Sequence, residues 1–240
     1  MHRIREFNRR LNDRFFPRHR PRYVGRFREL TTALSSGCNL VLHLGSGLVD
    51  LESWMPEGPP KPQLMALDVS FHALTSNSGK FRICAGAECL PLPSASVDLI
   101  LAEHVFEHFP RPEACLRECF RVLQRGGRLV ISGPNGWSYI ALVARLTPLR
   151  VHGWVRGLGA ANGRTDAFPT FYRFSTPRVM RRLAGEVGFE MIDLETFVGE
   201  PCYTTFLPVV HWVLIGYHVL LERLRPRFNF HITSVALFRK

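Results

Sequence analysis

One pattern constrains this chain more than any other. Short apolar runs stop at a glycine or an acidic residue, and each gives way to a stretch with helical spacing. Leu40–Leu44 (LVLHL) halts at Gly45-Ser46-Gly47, Gln63–Val69 (QLMALDV) carries Asp68 near its end, and Phe81–Cys84 is a short third run. Val97–Ala102 (VDLILA) leads into a helix with apolar positions at Cys115, Leu116, Cys119, Phe120 and Leu123. Gly126-Gly127 is expected to end that helix before Arg128–Ser132 (RLVIS). Runs without polar alternation predict strands buried on both faces, and the helices between them predict parallel crossovers. Farther along, Thr176–Val187 reads as a helix capped by Thr176, opened by Pro177 and stopped by Gly188. Phe189–Phe197 and His231–Phe238 read as the last two strands, Thr204–Arg225 as an apolar helix, and Phe27–Ser36 as a short helix ended by Gly37.

At 240 residues the chain is sized for one domain with a modest elaboration. Its 46% hydrophobic and 21% charged residues exclude global disorder, and glycines and prolines without a period exclude collagen-like or solenoid architectures. The net charge of +11 is concentrated: residues 1–28 hold ten arginines against Glu6 and Asp13, a local +8. The expected organisation is therefore a basic arm over 1–28 followed by one domain over 29–240. Such an arm suits nucleic acid, anionic lipid or an acidic partner, or is simply solvated. Cysteines 38, 84, 89, 115, 119 and 202 lack metal-ligand spacing, so no metal is expected and buried thiols in a reducing compartment are. MHRIREFNRR has charge without a following apolar segment, so a signal peptide is not expected and a cytoplasmic location is.

Ligands in doubly wound parallel sheets bind at the carboxyl ends of the strands, and the informative residues fall there. A Gly-Ser-Gly turn admits a ligand to the backbone where side chains would exclude it. Asp68 can accept both hydroxyls of a ribose, or cap the helix that follows.

With these residues in view, the chain resembles the class I S-adenosylmethionine-dependent methyltransferases, in particular the small bacterial type with quinone-pathway and cell-envelope members. The resemblance rests on VLHLGSG (41–47), ALDVS (66–70), AGAECLPLPSASVDLILAEHVFEHF (85–109), RVLQRGGRLVISGPN (121–135) and FYRFSTPRVMRRLAGEVGFE (171–190). It implies a Rossmann-like α/β fold, with a seven-stranded, mostly parallel sheet, an antiparallel last strand and helices on both faces. It also implies S-adenosyl-L-methionine as cofactor. The methionine end would lie over His43, Gly45, Ser46 and Gly47, with Asp68 and Val69 at the ribose and Ala87 and Glu88 beside the adenine. Glu103 and His104 would sit near the methyl group. Three positions depart from the family pattern: His43 stands in place of an acidic residue, Val49 in place of a third glycine, and Gly86 in place of the acid before Ala87.

Methyl transfer needs a protein base only when the acceptor must lose a proton, and histidine titrates in the right range. His104 is the first candidate and His108 the second. Asn135, Tyr172 and Arg173 are the candidate acceptor-binding residues. Two insertions bear on the acceptor: a substrate cap at about 136–172 and an apolar helix at about 199–230. Phe206–Leu221 is too short to span a bilayer. Its His211, His218, Glu222 and Arg225 share one helical face, and the rest is apolar. Such a helix packs on the core, pairs in a homodimer, or lies in an anionic membrane interface at the inner face of the membrane. The reading is methyl transfer to a small or lipid-linked acceptor at a membrane surface. The alternatives are a degenerate, non-catalytic member of the fold and an RNA methyltransferase; only the basic arm supports nucleic acid.

Overall fold

The computed structural model describes residues 2–16, 23–49, 51–56, 58, 61–77, 79–139, 141–142, 168–199, 204–205, 207–223 and 231–240. The chain divides into two compact units, one comprising 23–134, 170–195 and 234–240 and the other 1–22, 135–169 and 196–233.

The first unit is built around the sheet. Helix α2 (Tyr23–Ser35; α1 belongs to the other unit) leads into β1 (Leu40–Leu44), β2 (Gln63–Asp68), α3 (Phe71–Thr75), β3 (Phe81–Cys84) and β4 (Val97–Glu103). Then come α4 (Pro112–Val122), β5 (Leu123–Pro134), α5 (Pro177–Val187), β6 (Glu190–Phe197) and, after an insertion, β7 (Thr233–Arg239). The seven strands lie in the order β3-β2-β1-β4-β5-β7-β6, and pairing from β3 through β5 is parallel. β7 runs the other way. The Gly126 N–H reaches the Lys240 carbonyl (3.0 Å) at the start of β5, while the Asn135 N–H reaches the Ile232 carbonyl (2.8 Å) just past its end.

The strands alternate their burial between two helical layers, as a doubly covered sheet requires. Leu42, Leu44, Ile100, Ala102, Leu129 and Ile131 face one core, which α4 fills with Cys115, Leu116 and Cys119 and α5 with Met180 and Leu183. Each fully buried aliphatic side chain there is worth about 1.5–3 kcal/mol over exposure. Val41, Leu99, Leu101 and Val130 occupy the alternate positions and are equally buried, with α2 packing against β4 and β5.

Several boundaries differ from expectation. α4 stops at Val122, so Gly126-Gly127 does not end a helix; it lies inside β5, where pairing with β4 jumps from Val97–Leu123 to Leu99–Arg128. Glycine pairs mark strand irregularities as readily as helix ends, and here the extra residues form a bulge. The first helix of the sheet unit starts at Tyr23 rather than Phe27. Thr176 does cap α5, its hydroxyl accepting from the Val179 N–H (3.4 Å), and Gly188 ends it. Of the described cysteines only Cys115 and Cys119 are buried, while Cys84 and Cys89 are exposed.

The described residues of the second unit include the helices α1 (His2–Phe15) and α6 (Pro208–Arg223). The segment expected to be a basic arm is thus helical over most of its length. α1 is joined to α6 by Asn8, a fully buried residue whose amide donates to the Thr205 carbonyl (2.9 Å) and accepts from the Trp212 indole N–H (3.1 Å). α6 buries its histidines: His211 and His218 are fully enclosed, and Val209, Val213 and Leu220 are exposed. Most of the expected substrate cap (143–167), Cys202, Phe206 and Arg225 lie outside the described residues.

Candidate active site

Register places the site. Leu44 pairs with Leu67 on β2 and with Ala102 on β4, so the next residues on three adjacent strands are Gly45, Asp68 and Glu103. β2 and β3 extend the sheet to one side of β1 and β4 returns to the other side. The row therefore lies at the switch in strand order, where such sheets open a crevice.

At β1 the chain must leave the sheet abruptly. Gly45 and Gly47 take left-handed backbone, φ +65° and +49°, which glycine adopts without penalty. Gly45 has a second reason to lack a side chain: a Cβ there would stand 2.4 Å from a methyl group of Val105. Asp68 fixes this turn. One carboxylate oxygen accepts from the Gly47 N–H (2.7 Å) and the other from the Ser70 N–H (2.8 Å). The helix cap expected of Asp68 is supplied by Ser70, which accepts from the Ala73 N–H (3.2 Å). The turn is closed from beyond by Asn77, whose amide donates to the carbonyls of Gly47 (3.2 Å) and Val49 (3.0 Å) and whose oxygen accepts from the Gly79 N–H (2.8 Å). Asn77 thus holds a loop that carries Val49 where the pattern has glycine. Nothing in the sequence spacing singled it out. His43, two residues earlier, is enclosed within β1, on the face shared with Val41.

At β4 the chain turns sharply too. His104 has φ +54°, a conformation strained for a residue with a side chain, and its N–H bonds the Ser132 carbonyl (2.9 Å). Its Nδ1 lies 3.2 Å from Oε1 of Glu107, which is buried on the turn Phe106–His108. A carboxylate only accepts, so Nδ1 carries the proton and Nε2 is left with a free lone pair. Nε2 is shut off from solvent and has no hydrogen-bond partner. Burial pulls the His104 pKa down, but the hydrogen bond and charge of Glu107, with the charge of Glu103, outweigh it and hold the pKa above the ordinary value of 6.5. Burial likewise raises the Glu103 carboxyl, against the opposing charge of His104. The Tyr23 ring stands edge-on to His104, with centroids 5.1 Å apart. Glu107 and Tyr23 were not assigned roles from sequence. The spacing from His104 to Glu107 was visible, but not the kink that brings their side chains together.

The acceptor-side candidates divide. Tyr172 belongs to this constellation: its N–H and that of Phe171 donate to the Glu107 carbonyl (3.3 and 2.7 Å). Arg173 is exposed and donates to the Pro110 carbonyl (2.9 Å). Asn135 is buried in the other unit, where its side-chain oxygen accepts from the Trp137 N–H (3.1 Å). Of the residues expected beside an adenine, Ala87 is buried, while the Glu88 carboxylate pairs with Arg111 (3.0 Å) at the surface. Val69 is exposed, and His108 is half-buried on the Glu107 turn.

The row therefore offers a backbone turn free of side chains, a carboxylate beside it, and an imidazole with one free nitrogen. Residues 42–131 match the methyltransferase domain family. The chain is 28% identical over 185 residues to a demethylmenaquinone methyltransferase of Thermus thermophilus, covering 72% of this chain and 84% of that protein. It is 33% identical over 99 residues to a malonyl-[acyl-carrier protein] O-methyltransferase of Methylococcus capsulatus, of which the match spans only 36%, and 38% of this chain. A crystal structure of an S-adenosylmethionine-dependent methyltransferase from Archaeoglobus fulgidus superposes with a TM-score of 0.58 at 18% identity, covering 96% of this chain and 98% of that one. The fold, the methyltransferase domain match over residues 42–131 and these relatives together support a class I S-adenosylmethionine-dependent methyltransferase, with S-adenosylmethionine as the methyl-donating cofactor.

Proposed function

We propose that this chain methylates a lipid-like acceptor whose reacting atom must lose a proton. The observation that carries the reading is the His104–Glu107 pair, with Nδ1 engaged and Nε2 buried and unpartnered.

The residues present fit the cofactor. Beyond the position of a Cβ at Gly47 the nearest atom is the Asp68 carboxylate at 4.0 Å, so the turn leaves open space there. The buried Ser46 hydroxyl has no partner. Gly45–Gly47 and Ser46 would hold the methionine end and Asp68 the ribose, each carboxylate oxygen keeping a lone pair beyond its backbone bond. Bound S-adenosylmethionine supplies an electrophilic methyl group on a sulfonium that needs no acid from the protein. The chain's own tasks are then positioning and proton removal. Neutral His104 accepts the acceptor's proton at Nε2, and the imidazolium so formed is stabilised by the hydrogen bond and charge of Glu107 and by the charge of Glu103. Tyr172 and Arg173, bonded to the Glu107 and Pro110 carbonyls, would meet the acceptor.

Of the relatives' acceptors, demethylmenaquinone supports one that loses a proton, whereas a malonyl carboxylate is already ionised near neutral pH and needs no base. The first supports a lipid-like one, which would bring the enzyme to the inner membrane surface. Calorimetry with S-adenosylmethionine and its demethylated product tests the cofactor half: Asp68→Ala should weaken binding at least tenfold, about 1.4 kcal/mol. Radiolabelled methyl transfer into membrane extracts tests the acceptor half. Label in the organic phase, lost in His104→Ala, supports the proposal. Label in RNA, or no cofactor binding by the folded native chain, sinks it.

A further inference from the structure

The second unit is built inside out, in a way that identifies what covers it. On α6 the buried positions are His211, Ile215, His218 and Leu221, spaced at helical intervals, and the opposite face presents Val209 (68% exposed), Val213 (67%) and Leu220 (54%). The histidines are held inside by specific partners. The two ring nitrogens of His211 lie 3.0 Å from the Thr204 hydroxyl and 3.3 Å from the Asn8 carbonyl, and His218 Nδ1 meets the Gly199 carbonyl. The helix cannot simply roll its apolar face inward without breaking these bonds.

α1 repeats the arrangement. Its apolar residues Ile4, Phe7, Leu11 and Phe15 fall at i, i+3, i+7 and i+11, one continuous stripe. That stripe is turned outward, with Phe7 53% exposed, while Asn8 and Asn12 face inward. Arg10 and Arg14 lie at positions three and seven beyond Phe7 and so flank the stripe. Arg10 also pairs with Glu6 (2.8 Å). Over its length α1 carries five arginines against Glu6 and Asp13, a net +3.

An amphipathic helix with an outward apolar stripe bordered by arginines has the composition of an interfacial helix. No helix among the described residues is long and apolar enough to cross a membrane. We infer that the exposed apolar faces of α1 and α6 dock on an anionic lipid bilayer, lying in its interface rather than spanning it. Charge decides between occupants. A second copy of this chain would bring the same excess of arginines to the contact, whereas anionic headgroups complement it. The apolar side chains then insert at the headgroup boundary while the arginines remain among the phosphates. This goes beyond the acceptor reading and stands on different residues.

The test is co-sedimentation of the full chain with phosphatidylcholine vesicles, with and without phosphatidylglycerol. Binding is expected only with the anionic lipid, and to weaken steeply with salt. Phe7→Glu with Val213→Glu should lower partitioning at least tenfold, and so should Arg10→Glu with Arg14→Glu, a second variant that leaves the apolar stripe intact. All four residues are exposed, and circular dichroism melting checks that each variant is folded. Native protein that ignores anionic vesicles overturns the inference, as do folded variants that bind like the native chain. Concentration-dependent dimerisation in sedimentation velocity, abolished by the glutamates and without vesicle binding, also overturns it and assigns the faces to a second copy. S-adenosylmethionine binding by the same variants separates this result from any failure of the methyltransferase reading, because none of the substituted residues lies at the strand-end site.

Discussion

Replacing Gly45 by alanine tests the geometry of the candidate site at its most constrained point. Two independent penalties meet there. The backbone stands at φ +65°, where a residue with a Cβ loses roughly 1–2 kcal/mol. The new methyl group would also lie 2.4 and 2.7 Å from the two γ-carbons of Val105, far inside contact distance, and overpacking of this kind costs about 1–3 kcal/mol. The single variant should therefore lose about 2–5 kcal/mol, a large share of the 5–15 kcal/mol that keeps a domain folded. The two contributions can be separated. Val105→Ala removes both opposing methyl groups, so in that background Gly45→Ala should cost only the left-handed penalty of about 1–2 kcal/mol. Urea unfolding of the four proteins, compared at constant m, measures the coupling, expected at about 1–3 kcal/mol. Costs that add within about 0.5 kcal/mol would show that Val105 does not close on the turn. A Gly45→Ala variant as stable as the native chain would refute both parts of the reasoning.

Three further predictions follow from the same structure. Asn77→Ala removes three hydrogen bonds from a buried side chain, at roughly 1 kcal/mol each; a loss of about 2–3 kcal/mol should accompany at least a tenfold rise in the S-adenosylmethionine Kd, and calorimetry showing unchanged affinity would remove Asn77 from the site. Burial, outweighing the Gly199 carbonyl and aided by His211, pushes the His218 pKa from 6.5 down to about 4. The unfolded chain then binds the extra proton first, so stability should fall as pH drops from 6.5 towards 4, by on the order of 3 kcal/mol; His218→Gln should flatten that dependence in urea titrations. Glu107→Gln keeps the side chain's size but removes the charge that raises the His104 pKa. The acid limb of kcat, expected above pH 6.5 in the native enzyme, should move downward, and a limb that stays in place would exclude His104 as the group that titrates.

The strand ends were legible because a buried parallel strand needs an unbroken apolar run. Where LVLHL, QLMALDV and VDLILA stop, the chain must leave the sheet, and Gly45, Asp68 and Glu103 duly align in one row. What periodicity does not carry is which face of a helix turns inward. α6 shows two faces of contrasting polarity in sequence, and the ordinary expectation puts the apolar one inside. Its histidines occupy the interior instead, because Thr204, Asn8 and Gly199 supply hydrogen bonds that no local pattern reveals. The segment before Tyr23 misled for a related reason. Its arginines suggested an arm, whereas Asn8 anchors a helix through contacts about two hundred residues away. Gly126-Gly127 shows the remaining ambiguity, since the same dipeptide can end a helix or bulge a strand, and the pairing partner decides.

Glu107 carries no role in the sequence reading, for a reason that also explains its importance. Among the described residues three non-glycine positions adopt left-handed backbone, and two of them, His104 at φ +54° and Tyr172 at φ +53°, are bonded to Glu107. Each costs roughly 1–2 kcal/mol and persists only where its surroundings over-determine it. Glu107 supplies that constraint from both ends of the residue: the carboxylate holds the His104 ring, and the carbonyl holds the N–H groups of Phe171 and Tyr172. A tight hydrogen-bonded turn of three residues keeps it buried, close against Gly133. A chain under no demand but stability would relax these positions or place glycine at them. Keeping side chains there makes sense if both must be aimed, and the two residues so held are His104 and Tyr172. The strain, the buried carboxylate and the unpartnered Nε2 are thus one arrangement, in which Glu107 fixes the tautomer and orientation of His104, the proposed base.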